Sequence, residues 1–135
     1  MLPEERKARR KLRLESLLLA EISSLLTYEV KDPKCEGVVV TEVRLGKDFS
    51  SAVVLVRARH EKEDVTDEAL VALTRATSFI RRELGARLCL RRVPSLKFIP
   101  DRGLVDSIRV GELIYKLRAE GKLGTNDSEN EDGFE

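Results

Sequence analysis

From Gly37 to Arg59 the chain reads GVVVTEVRLGKDFSSAVVLVRAR, two runs of β-branched residues separated by a short Gly-Lys-Asp-Phe connection, and on either side of it the apolar residues return with helical spacing. This switch of period constrains the fold more than any other feature. A β-branched run suits a pleated, half-buried surface, whereas apolar residues three or four apart form one stripe on a helix. The two runs predict two strands joined by a short loop. Val39, Thr41, Val43 and Leu45 alternate onto one face of the first; Val53 and Leu55 share a face of the second with Arg57 and Arg59. That face is expected to become polar towards its end.

Upstream, Leu14, Leu18, Ile22, Leu25 and Leu26 predict an amphipathic helix of about six turns. Lys31-Asp32-Pro33 ends it, because the residue before a proline disfavours the helical region. Downstream, Ala69, Leu73, Ala76, Ile80, Leu84 and Leu88 predict a second helical stretch, with Thr66 or Asp64 available as its N-cap. Val93-Pro94 breaks it. Leu96 and Phe98 then alternate with Lys97 and Ile99 in a third strand, and Leu104, Ile108, Leu113, Ile114 and Leu117 predict a last helix that Gly111 weakens. The closing GTNDSENEDGFE has no apolar period and cannot bury enough surface to offset chain entropy. The expected organisation is one domain over residues 1–123 and a disordered acidic tail over 124–135.

The formal net charge of +1 hides a segregation of sign. Residues 4–13 carry six basic side chains against two acids, and residues 124–135 carry five acids and no base. Between them, RATSFIRRELGARLCLRRVPSLKF (residues 75–98) sets Arg75, Arg81, Arg82, Arg87, Arg91, Arg92 and Lys97 against Glu83 alone. A solvated helix face normally mixes acids with bases, so this imbalance points to a polyanion. On a straight helix Arg75, Ser78, Arg82 and Gly85 line the side opposite the apolar stripe, where small residues between guanidinium groups would let a phosphate backbone approach.

The two cysteines, Cys35 and Cys89, lack CxxC spacing and a nearby histidine, which argues against a zinc site or a disulfide framework. His60 is the only histidine and stands beside Glu61 and Glu63 with no nucleophile at a recognisable spacing, so it reads as a surface residue. No glycine-rich phosphate loop or convergent acid pair emerges, and neither an enzyme nor a cofactor or metal is expected. Glu15 and Glu21 interrupt the first apolar run too early for a signal peptide, and no run is long enough to cross a bilayer, so a cytoplasmic protein without a membrane partner is expected. Aromatic residues make up 4% of the chain, which favours recognition of phosphate and shape over stacking of successive bases.

The predicted order of elements is that of a type II KH-like α+β domain (α-β-β-α-kink-α-β) with a C-terminal helix. Closer than this topology is the likeness of EVKDPKCEGVVVTEVRLGKDFSSAVVLV and RATSFIRRELGARLCLRRVPSLKFIPD to bacterial ribosome-binding factor A; the chain resembles that family over about residues 10–118. The resemblance implies an assembly factor that binds the free small (30S) ribosomal subunit and 16S ribosomal RNA and assists late maturation and processing of the precursor RNA, monomeric when off the ribosome. In that family an Ala-x-Gly kink replaces the GxxG loop of KH domains. The matching residues here are Ala76, Thr77 and Ser78, with serine where the family has glycine. Serine lacks glycine's freedom at positive φ, so a sharp kink is harder to form. The candidate RNA contacts are therefore Arg75, Ala76, Thr77, Ser78, Arg81, Arg82, Arg87, Arg91, Arg92 and Lys97, with Arg87 turned towards the apolar side if the helix is straight.

Two other classes fit part of this pattern. A protein-interaction domain could use the first amphipathic helix as a groove ligand, which leaves the arginines idle. An RNA-processing enzyme would explain the arginines and would need a catalytic group that the sequence does not display. Lys31-Asp32-Pro33 reads as a helix stop followed by a turn.

Overall fold

The computed structural model describes residues 2–59, 64–102 and 111–117. His60, Leu104, Ile108 and the acidic tail lie outside the described residues. The first helix, α1, runs from Pro3 to Tyr28 and takes in the basic segment as well as the predicted leucines, so it is longer than the six turns expected. Proline at its first position needs no hydrogen-bond partner there, and Glu5 accepts from the Leu2 amide at 3.0 Å, which ties down the first turn. Leu18, Ile22, Leu25 and Leu26 form its buried stripe. Past Tyr28 the Asp32 carboxylate accepts from the Lys34 amide at 2.9 Å and opens a single 3-10 turn, Pro33–Cys35. Gly37 follows at φ 78°, a left-handed conformation that glycine adopts without a Cβ penalty.

Strands β1 (Val38–Leu45), β2 (Ser51–Ala58) and β3 (Ser95–Pro100) form a sheet in the order β1-β2-β3, antiparallel between the first two and parallel between the last two. Strict alternation in β1 fails at one residue. Val40 pairs with Val56 and Glu42 with Leu55, leaving Thr41 as the extra residue of a bulge. The buried residues are consequently Val40, Val43 and Leu45; the predicted face of Val39, Thr41, Val43 and Leu45 holds only downstream of the bulge. The Thr41 hydroxyl is satisfied by the Leu55 carbonyl at 3.2 Å and by Asp101 at 2.6 Å, where β3 ends. Glu15 of α1 accepts from the Leu45 amide at 2.8 Å, closing an edge position of the sheet.

Between β2 and β3 the chain forms α2, Asp67–Leu88, capped by Thr66, whose hydroxyl accepts from the Ala69 amide at 3.0 Å. Here the structure corrects the sequence reading: the two helices expected around Ala76, Thr77 and Ser78 are one uninterrupted helix. Positive φ among the described non-glycine residues occurs at Phe49 and Cys89 and not within α2. Ser78 keeps ordinary helical geometry, as expected of a residue with a Cβ. The left-handed Cys89 ends the helix instead.

The main core lies between the sheet and the two helices, built from Leu18, Ile22 and Leu25 of α1, Leu73, Ile80 and Leu84 of α2, and Ala52, Val54, Val56 and Phe98 of the sheet. The opposite sheet face is covered as well. Val53 and Leu55 pack with Ile99 and with Leu113, Ile114 and Leu117 of a helical segment at 111–117. Strand β2 is therefore buried on both faces from Ser51 to Val56, and the polarity predicted for its end begins at the exposed Arg57.

Candidate nucleic-acid interface

Burying Leu73, Ile80 and Leu84 turns the other side of α2 to solvent, and with it Val71, Arg75, Ser78 and Arg82. The spacing read from the sequence thus produces an exposed stripe with two guanidinium groups and a serine between them. Arg82 lies over the Phe79 ring, 5.7 Å from its centroid, an arrangement that orients the guanidinium while leaving its edge open. Arg75 is 65% exposed and reaches Asp32 at 3.4 Å across the groove between α2 and the loop after α1. The Asp32 carboxyl is held below its usual range, chiefly by the Lys34 amide and further by the Arg75 guanidinium. Ala76 and Thr77 are half-buried. The Thr77 hydroxyl donates to the Leu73 carbonyl at 3.1 Å and that of Thr74 to Leu70 at 2.9 Å.

The remaining candidates do not share this surface. Arg81 is half-buried and donates to the carbonyls of Pro94 at 3.0 Å and Val93 at 2.8 Å, fastening α2 to the entry of β3. Arg87 lies among three carboxylates, Glu83 at 3.5 Å, Glu21 at 3.6 Å and Glu29 at 3.7 Å, so its charge is largely compensated where α1 meets α2. Gly85, predicted on the solvent side, faces the protein; a Cβ there would meet Val93 Cγ2 at 3.1 Å. Arg91 and Arg92 are exposed beyond the end of α2. Lys97 is exposed on the opposite face of the sheet, in register with Val53 and across β2 from Arg44, which is paired with Glu42. The basic set of the sequence is thus divided among an α2 stripe, a loop, an internal clasp, an ion-pair cluster and the far side of the sheet.

Two further features could not be read from spacing. The tertiary fold brings Lys31 and Asp32 beside Arg75, Ala76 and Phe79 around one open cavity. The amino-terminal basic residues form an exposed helical arm, with Arg10 over Phe49 of the β1–β2 connection at 5.7 Å from the ring centroid. The only sequence signals for the first feature were the Lys31-Asp32-Pro33 string and the position of Phe79, neither of which specifies the other as a neighbour. Among the described residues no cluster of histidine, cysteine, aspartate or glutamate could hold a metal, and no helix is long and apolar enough to cross a membrane.

Helix, two strands, helix and strand, with a cationic solvent face on the second helix, define an α+β domain of the type II KH-like class. The model of the family described as ribosome-binding factor A matches residues 10–114. A ribosome-binding factor A from Natranaerobius thermophilus is 43% identical over 118 residues, spanning 87% of this chain and 86% of that protein. One from a Synechococcus species is 37% identical over 113 residues, 82% of this chain and 78% of the relative. The crystal structure of ribosome-binding factor A from Thermus thermophilus superposes with a TM-score of 0.60 at 35% identity, covering 70% of this chain and 98% of that one. The chain belongs to the ribosome-binding factor A family, a family of binding factors and not of enzymes.

Proposed function

We propose that this protein is a cytoplasmic assembly factor that binds the free small ribosomal subunit, contacts 16S ribosomal RNA through the exposed side of α2, and assists late maturation and processing of the precursor RNA. The observation that carries this reading is the α2 stripe of Arg75, Ser78 and Arg82 in a chain of the ribosome-binding factor A family. Guanidinium groups flanking a small hydroxyl residue can make bidentate contacts to successive phosphates while the helix surface stays close to the backbone. Of the remaining candidates, Arg91 and Arg92 are free to extend this contact past the helix end. Arg81 and Arg87 support it from within by fixing the helix, and Ala76 and Thr77 keep its middle slim. Lys97, on the far side of the sheet, would meet a separate stretch of RNA. A monomer off the ribosome suits a domain that buries both sheet faces with its own helices.

Sedimentation of a lysate tests the reading at the level of the particle. The protein should travel with free small subunits and be depleted from assembled ribosomes. Comigration chiefly with translating ribosomes would count against the assembly role.

A further inference from the structure

Between the loop that follows α1 and the middle of α2 lies an open cleft of about 280 Å³. Its walls differ in kind. Val30, Ala72, Ala76 and the Phe79 ring are apolar, and the two alanines leave the floor low; Lys31, Asp32 and Arg75 stand at the rim. The remaining rim residue, Glu29, is turned to Arg87 at 3.7 Å. The volume falls at or below the range of clefts that hold drug-sized ligands, roughly 300–1,000 Å³, so one small group is what it can take, and the Phe79 ring on its wall suits a flat one.

A nucleobase has that shape: apolar faces, a hydrogen-bonding edge and an anionic phosphate attached. Lys31 and Arg75 supply cations for the phosphate, and the Arg75 contact to Asp32 at 3.4 Å is long enough to yield to it. The edge would meet Asp32. One oxygen of that carboxylate accepts from the Lys34 amide at 2.9 Å, which fixes its orientation, and among the described residues the other is engaged by the long Arg75 contact alone. A carboxylate accepts and cannot donate when ionised, and it matches two adjacent N–H donors. Guanine is the base that presents such a pair, N1–H beside the exocyclic N2 amino group. We infer that the cleft is a subsite for one unpaired guanine nucleotide of RNA, its base resting against Phe79, Ala72 and Ala76, its donor edge on Asp32 and its phosphate between Lys31 and Arg75.

This inference rests on the RNA-binding reading, and the test separates the two. Fluorescence anisotropy with the full-length protein would compare short uridine-rich RNAs carrying one central guanosine, inosine, adenosine or uridine. Guanosine should bind roughly tenfold or more tightly than adenosine, within the discrimination usual for a bidentate contact, and about fivefold more tightly than inosine, which lacks the N2 donor. Asp32→Asn keeps an oxygen for the Lys34 amide and places a donor against guanine's donors. It should reduce the preference for guanosine over adenosine to about twofold or less. Ala76→Leu, which fills the cleft without touching Asp32, should do the same and guards against a turn disturbed by the first variant. If the protein binds all four RNAs equally, the subsite is wrong and RNA binding stands. Preference retained in both variants also overturns it. If it binds neither these RNAs nor a folded 16S fragment, both readings fall.

Discussion

Arg75 and Arg82 project from α2 into solvent, while Arg81, one residue earlier than Arg82, turns inward to the carbonyls of Val93 and Pro94. The difference can be measured twice. Replacing Arg75 and Arg82 by alanine should change stability by about 0.5 kcal/mol or less per site. If each contacts one phosphate, the log-log salt slope of RNA binding should become shallower by roughly 1.4 to 1.8. Alanine at Arg6 and Arg9, exposed on the amino-terminal arm, removes the same charge elsewhere. Its effect should be smaller if docking occurs on α2, and equal effects would indicate diffuse attraction. Arg81→Ala, by contrast, leaves two carbonyls short of charged donors and should destabilise the fold by about 2–3 kcal/mol in chemical denaturation. Lysine should not restore it, because a single ammonium cannot reproduce the planar fork that reaches both carbonyls. The sequence placed Arg81 and Arg82 in one basic cluster; a 100° turn of the helix between neighbours gives them different surroundings.

At the scale of elements, α2 shows how far periodicity can be trusted. Its apolar stripe was legible and its cap was narrowed to Thr66 or Asp64, of which Thr66 serves, since each depends on residues within one or two turns. The expected break at Ala76–Ser78 came from a family pattern in which glycine supplies the freedom to kink. With Ser78 in that place the helix runs through. The same element contains a glycine whose purpose lies outside it. Gly85→Ala would normally stabilise a helix by about 1 kcal/mol. Here the new methyl would lie 3.1 Å from Val93, a 5% exposed residue whose carbonyl is held by Arg81, so the gain should vanish. Gly85→Leu should cost about 1–3 kcal/mol by overpacking. A double-mutant cycle with Val93→Ala should recover part of that cost, because the two sites touch. In β1, a bulge at Thr41 moves the core face from Val43 to Val40. Nothing in the local alternation signals it, since the Thr41 hydroxyl's partners, Leu55 and Asp101, come from β2 and the end of β3.

For the whole molecule the main question is what covers the sheet. Helices α1 and α2 bury one face, and the 111–117 segment buries Val53, Leu55 and Ile99 on the other. Leu113 and Leu117 are half-buried, so Leu113→Ala with Leu117→Ala should cost about 2–4 kcal/mol, near half the full value for two buried leucines. Urea unfolding followed by circular dichroism measures this; an unchanged midpoint would mean that the segment adds no stability to the sheet. Legible in the sequence were a first helix, two strands, a second helical stretch wrongly expected to break at Ala76–Ser78, a third strand with Leu96 and Phe98 alternating against Lys97 and Ile99, and the exposed stripe of Arg75, Ser78 and Arg82. These follow from backbone period, and one side of an amphipathic element must face the core. The parallel pairing of β2 with β3, the second cover over Val53 and Leu55, the separation of Lys97 from the α2 arginines, and the meeting of Lys31 and Asp32 with Phe79 came from the folded chain instead. Each depends on which surfaces come together after the chain has turned, and residues more than a few turns apart carry no periodic signal of one another.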